Sequence, residues 1–161
     1  MLESDVVRLG AEPPDSLNDG EREALAQVYL DATSGILHFC GEAELLRSLD
    51  NVDSPHNPLG AASVYLILAI GAQCRGTAPK DLLQSSEFFS QGQIASFQGM
   101  LCDPSLEMVR NFLLMAFYML GACHRNAAFM YLGVASKAAC ALGLHLSDQY
   151  RDLTAEESRA K

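Results

Sequence analysis

The residues that could do chemistry in this chain are its 5 cysteines, 4 histidines and 20 carboxylates, and their spacing argues against each use in turn. Zinc needs cysteine and histidine gathered at short intervals. No Cys-x-x-Cys occurs, His38 and Cys40 are two apart and leave a helix on different sides, and Cys123-His124 has no second pair. Nucleophilic catalysis is no better served. There is no Gly-x-Ser-x-Gly elbow, and His38, His56, His124 and His145 stand in unrelated contexts. A lone histidine is more often a cap or a packing residue than a base, because a base must first be placed against its proton. The acidic residues cluster in segments that read as exposed, so no pair of carboxylates is aimed into an apolar pocket. The stretch Gly71-Ala72-Gln73-Cys74-Arg75-Gly76-Thr77 has the glycines of a phosphate loop but not its lysine, and it follows a helical pattern where a phosphate loop follows a strand. The reading is a non-enzyme, with no catalytic, cofactor-binding or metal residues and no cofactor.

The elements that would position any site are bounded by size and composition. At 161 residues the chain is one domain's length, and 49% apolar with 19% charged residues describes a packed globule. The net charge is −9, with 8 of the 20 acids before position 32. Such a surface repels phosphate backbones and disfavours direct nucleic-acid binding. The cysteines are odd in number and far apart, mostly in or beside apolar helical segments where a thiol packs as a small hydrophobe. That usage points to a reducing compartment, cytosol or nucleus. The acidic start Met1-Leu2-Glu3-Ser4-Asp5 is unlike a signal peptide, and no Asn-x-Ser/Thr sequon occurs. The apolar stretches 59–74 and 112–123 fall short of the roughly 20 residues a membrane span takes, so they read as core helices and no membrane partner is expected.

Residues 1–18, polar and acidic with Pro13-Pro14, predict a flexible lead-in, and 19–161 a helical domain. A helix starting near Asn18 or Asp19 carries Leu25, Val28, Tyr29, Ala32 and Ile36 on one face until Gly41 breaks it. A short helix with Leu45, Leu46 and Leu49 follows, then a loop over 50–58. The segment 59–74 is apolar nearly all round and should be a central helix stopped by Gly76. Pro79 opens the next helix, running to about Leu101, and Asp103-Pro104 reads as N-cap and first helical position of the one after, 105–123. Its apolar run 112–120 should meet water on no side, and since Arg125 and Lys137 are the only charges over 112–146, that whole segment should be mostly buried. Asn126 is placed to cap a helix over 127–142. That helix sets Ala127, Met130, Tyr131, Val134, Ala138 and Leu142 along one stripe, with the small residues Gly133, Ser136, Cys140 and Gly143 along another where a neighbouring backbone could approach. Gly143-Leu144 is the expected stop. No β-alternation of useful length occurs. The prediction is all-α, built of antiparallel helix pairs. Thr154-Ala155-Glu156-Glu157 has the form of a capping box with only four residues after it, which suggests an incomplete part of a larger helical domain.

Several weak patterns in order add a resemblance. They are Asp103-Pro104-Ser105-Leu106-Glu107, then Tyr118-Met119-Leu120-Gly121, then Tyr131-Leu132-Gly133-Val134-Ala135, then Ala141-Leu142-Gly143-Leu144-His145, then 153–159. Upstream, 68–73 and Tyr29 through His38-Phe39 fit as well. Together they resemble the fungal-specific transcription factor domain, the middle homology or regulatory region of binuclear zinc cluster regulators of the xylanolytic-activator type. The chain departs from that pattern at Leu146, where a basic residue commonly follows the histidine, and in ending at Arg159-Ala160-Lys161 without a basic, Trp-containing continuation. The resemblance implies a nuclear protein modulating transcription through intramolecular contacts, protein partners or a small-molecule effector. DNA would be met only through a zinc cluster that these residues do not include. Leu113, Leu114, Tyr118, Tyr131, Val134, Leu142 and Leu144 are expected to pack, and Gly133 and Gly143 to allow close approach and helix termination. Two other readings stay open: a stand-alone helical scaffold for a partner helix, and a small helical enzyme or ligand-binding bundle with a pocket between helices.

Overall fold

The computed structural model describes residues 18–34, 36, 39, 41–49, 57–100 and 104–146. Among them the chain forms six helices and no strand: α1 (Asp19–Thr33), α2 (Glu42–Leu49), α3 (Pro58–Arg75), α4 (Pro79–Met100), α5 (Leu106–Gly121) and α6 (Arg125–Ala141). The all-α expectation holds. The lead-in 1–17, the loop residues 50–56 and the capping box at 154–157 lie outside the described residues.

Each start is set by local chemistry. Asn18 accepts the Glu21 N–H at 2.8 Å and opens α1, while Asn57 accepts the Gly60 N–H at 2.9 Å with Pro58 at the first helical position of α3. The α1 helix ends at Thr33, well before Gly41, so Ile36 lies beyond it and is 70% exposed. The reason is the run Ala32-Thr33-Ser34-Gly35, in which Thr33 bonds back to the Tyr29 carbonyl (2.7 Å) and weak helix formers follow. At α5 the cap is Ser105, whose hydroxyl accepts the Met108 N–H at 3.1 Å, and Pro104 precedes it rather than starting the helix. Asp103 lies outside the described residues.

The α3 helix is the axis of the fold. It packs against α1, α2, α4 and α5, and Leu66, Leu68, Ala69 and Ile70 are fully shielded. By length and composition it is also the one described helix that could cross a membrane, and 56% of it is buried inside the fold, as befits a core helix. Gly71 lets α1 cross it closely, since a Cβ there would stand 2.2 Å from the Leu25 carbonyl oxygen. Gly76, at φ 45°, ends α3 as expected. Asp81 then ties the α3–α4 turn. Its carboxylate accepts two N–H bonds from Arg75 (3.0 and 2.6 Å), the Thr77 N–H and hydroxyl (both 3.0 Å) and the Ala78 N–H (3.2 Å). The Arg75 guanidinium, followed by those shorter-range donors, holds the Asp81 carboxyl at about 2, below its ordinary value.

The remaining pair, α5 and α6, is joined through residues 122–124. Cys123 takes a left-handed conformation (φ 61°), the Cys123 N–H bonds Leu120 O, and the His124 N–H bonds Met119 O. Those two hydrogen bonds already reverse the chain, so α6 begins at Arg125 and Asn126 sits in its first turn instead of capping it. Its N-cap is His124, which makes no side-chain bond. At the other end Gly143 (φ 73°) repeats the motif, with Gly143 N–H to Cys140 O and Leu144 N–H to Ala139 O, both 3.0 Å. The predicted stop is borne out.

Candidate functional site

Several interior polar groups join one helix to another. Ser63 of α3 donates to Asn111 Oδ1 of α5 at 2.5 Å, and Asn111 Nδ2 donates to the Leu59 carbonyl at 3.0 Å. Ser85 Oγ of α4 donates to Ala69 O of α3 at 2.8 Å, and the Tyr118 hydroxyl of α5 lies 3.3 Å from Ser85 Oγ. Gln73 Nε2 donates to Tyr118 O at 3.2 Å. Phe89 and Tyr118 stack with centroids 4.2 Å apart. These bonds fix how α3, α4 and α5 sit together.

The residues singled out for chemistry do not converge. His124 and His145 are exposed at opposite ends of α6, while His38 and His56 lie outside the described residues. Cys74, Cys123 and Cys140 are exposed, which corrects the expectation that they pack in the core, and Cys40 and Cys102 lie outside. Partial burial raises the Cys74 thiol above its ordinary value, opposite to the shift that makes a nucleophile. Among the described residues no three His, Cys, Asp or Glu side chains are grouped to hold a metal. Polar groups do gather around one small cavity of about 160 Å³ between α2, α3 and α5, lined by Glu44, Ser48, Asn57 and Glu107 with Arg110 over an apolar floor of Val64 and Ile67. Glu44 and Glu107 face solvent.

The feature that stands out is the α5–α6 hairpin. The helices run antiparallel: Leu113, Phe117 and Leu120 share one groove with Ala128, Phe129 and Leu132, while Pro104 and Met108 share another with Val134, Ala138 and Ala141. Low numbers on one helix therefore meet high numbers on the other. Phe112 and Leu114 are fully buried, but Leu113 and Phe117 are half-buried and Leu120 is exposed, so the run 112–120 does have a wet side. The correction is larger for α6. Only Ala128, Ala135 and Ala138 are buried, with Tyr131, Val134 and Leu142 half-buried. Phe129 is 70% and Met130 73% exposed, and Leu132 is exposed beside them.

The cause lies in what surrounds α6. Among the described helices only α5 approaches its backbone, and α4 reaches it through side chains alone, by the Gln93 amide to the Tyr131 hydroxyl and by Phe97 against the Tyr131 ring. Composition tells what a helix tolerates, not whether a neighbour is supplied. The small stripe Gly133, Ser136 and Cys140 faces solvent, and a Cβ on Gly133 would meet nothing within 4 Å. Close approach occurs at Gly71 and at Gly92, where a Cβ would stand 2.7 Å from Leu66 Cγ, and not at Gly133. The outer side of α6 is thus an apolar surface with a ridge at Phe129 between a groove of about 640 Å³ and one of about 220 Å³. Contiguous exposed apolar surface of this kind marks a place where another element packs.

No curated protein and no solved structure matches the chain. The family model for the fungal specific transcription factor domain does match it, over residues 26–161, from the first core turn of α1 onward through α6. With an all-helical fold and most of its length covered by that match, the chain belongs to the fungal-specific transcription factor domain family.

Proposed function

We propose that this chain is the regulatory, non-DNA-contacting helical region of a nuclear transcription factor, and that it works by protein contact through the outer face of α6. The single observation that carries the reading is that face. Phe129, Met130 and Leu132 stand exposed together there, and only α5 approaches the α6 backbone among the described helices. Membership of a transcription-factor family makes a regulatory role the natural use for such a surface and an enzymatic one unnecessary. The net charge of −9 supports leaving DNA contact to another part of the factor.

The test is a reporter assay with the chain fused to a heterologous DNA-binding domain. Pairing Phe129→Asp with Leu132→Asp should change reporter output severalfold at equal protein level, while the unfused chain should leave duplex DNA unretarded in a gel at physiological salt. Unchanged output with the paired substitution, or a DNA shift by the chain alone, would remove the reading. An effector reading is supported by the cavity between α2, α3 and α5, whose mixed charges suit a small polar molecule. Arg110→Ala should then change reporter output while Phe129→Asp leaves it alone.

A further inference from the structure

We infer that the occupant of the outer face of α6 is an amphipathic helix of another protein, with an apolar stripe flanked by carboxylates. This rests on the reading of that face as a docking surface and adds the chemistry of what docks.

Charge carries the inference. From 112 to 146 the only charged residues are Arg125 and Lys137, both exposed and both basic, in a chain whose net charge is −9. They stand twelve positions apart, about 18 Å along a helix, near the two ends of α6. A third positive feature joins them, because the N-cap His124 makes no side-chain bond and the first-turn N–H groups of α6 keep their outward partial charge. Elsewhere the exposed carboxylates Asp19, Glu23, Asp31, Glu42 and Glu44 outnumber the exposed cations Arg47 and Lys80, and Lys80 lies 3.9 Å from Glu21, so those surfaces favour an acidic partner less. The α6 face is where such a partner meets attraction at the ends and apolar surface between. Lys137 borders the larger groove together with Met130 and Val134, so a carboxylate there and an apolar side chain beside it are bound by one site.

The same charges argue against a second copy of this chain. A twofold contact pairs residue i with j and j with i. Two α6 helices crossing antiparallel on their apolar midpoint set the Arg125 of each against the Lys137 of the other, and a parallel pair sets each cation beside its own equivalent. Neither arrangement brings in a carboxylate from α6, since the helix has none. Like charges apposed across an interface suppress that pairing.

The experiment uses the full chain and two matched synthetic helical peptides with the same leucine stripe, one flanked by glutamate and the other by lysine, read by fluorescence anisotropy. The glutamate probe should bind tighter by roughly twofold to thirtyfold, the range two exposed ion pairs span, and the advantage should shrink as salt is raised. Arg125→Glu with Lys137→Glu should invert the preference, and Phe129→Asp should weaken both probes. All these side chains are exposed, and circular dichroism checks that the variants keep their helices. Equal affinity for the two probes, or a preference that charge reversal leaves in place, overturns the inference while a Phe129→Asp effect still supports the docking surface. Binding of neither probe overturns both. A concentration-dependent dimer in sedimentation that Phe129→Asp abolishes makes the occupant a second copy and overturns the acidic partner.

Discussion

Cys123 occupies, at φ 61°, the backbone position that closes α5, where glycine is the usual residue. A side chain in the left-handed region costs about 1–2 kcal/mol, partly offset by the extra freedom glycine has when unfolded. Cys123→Gly should therefore stabilise the fold by roughly 0.5–1 kcal/mol, seen as a higher urea midpoint with an unchanged slope. Asp81 sets a second residue-scale expectation. Its folded carboxyl sits at about 2, below its ordinary 3.8. A group depressed on folding contributes stability above its unfolded value and loses it as pH falls through the folded one. The contribution is thus complete above about pH 4 and drains away between pH 4 and 2. Urea titrations of Asp81→Asn and the native chain should differ at pH 6 and converge toward pH 2, and a constant difference across that range would remove Arg75 and its neighbours as the cause. Residues of this kind are unevenly legible in sequence. Gly76 and Gly143 announce their turns, because only glycine adopts those angles cheaply. Cys123 announces nothing, since its conformation is forced by the hydrogen bonds of His124 to Met119 and not by its own type.

At the scale of elements, periodicity and caps recover the number and order of helices well, and fail where two signals compete or where a neighbour decides. Asp103 and Ser105 both have capping chemistry, and Ser105 takes the role by accepting the Met108 N–H. Asn126 is a good cap on composition, but the turn at Cys123 is complete before it, so α6 starts without it. The close crossing of helices was expected at the small stripe around Gly133 and is found at Gly71, a position whose significance depends on the carbonyl of Leu25 across the core. No local pattern encodes that pairing. Gly71→Ala should force α1 away from α3 and cost about 1–3 kcal/mol, as overpacking does, whereas Gly133→Ala should be neutral or mildly stabilising because its surroundings are open and alanine favours helix. Thermal melts of the two variants separate these outcomes, and equal effects would contradict the packing described.

For the whole molecule, the candidate site was legible only through a mismatch. The sequence from 112 to 146 calls for burial, the described fold provides part of it, and the difference is the exposed apolar surface at Phe129, Met130 and Leu132. Solution behaviour should report it directly: the chain should bind a hydrophobic dye, and Phe129→Asp with Met130→Asp should reduce the fluorescence markedly without loss of helicity. The way α6 is held has a further consequence. Its attachment is to α5 and to two α4 side chains, Gln93 and Phe97, while α3 is gripped by four helices. Opening free energy follows such attachment, so the amide protons of α6 should trade with deuterated water well before those of α3. A bound helix would slow that exchange along 125–141 first, which gives the arrival of any regulator a clock reading on this segment before it is visible in the rest of the molecule.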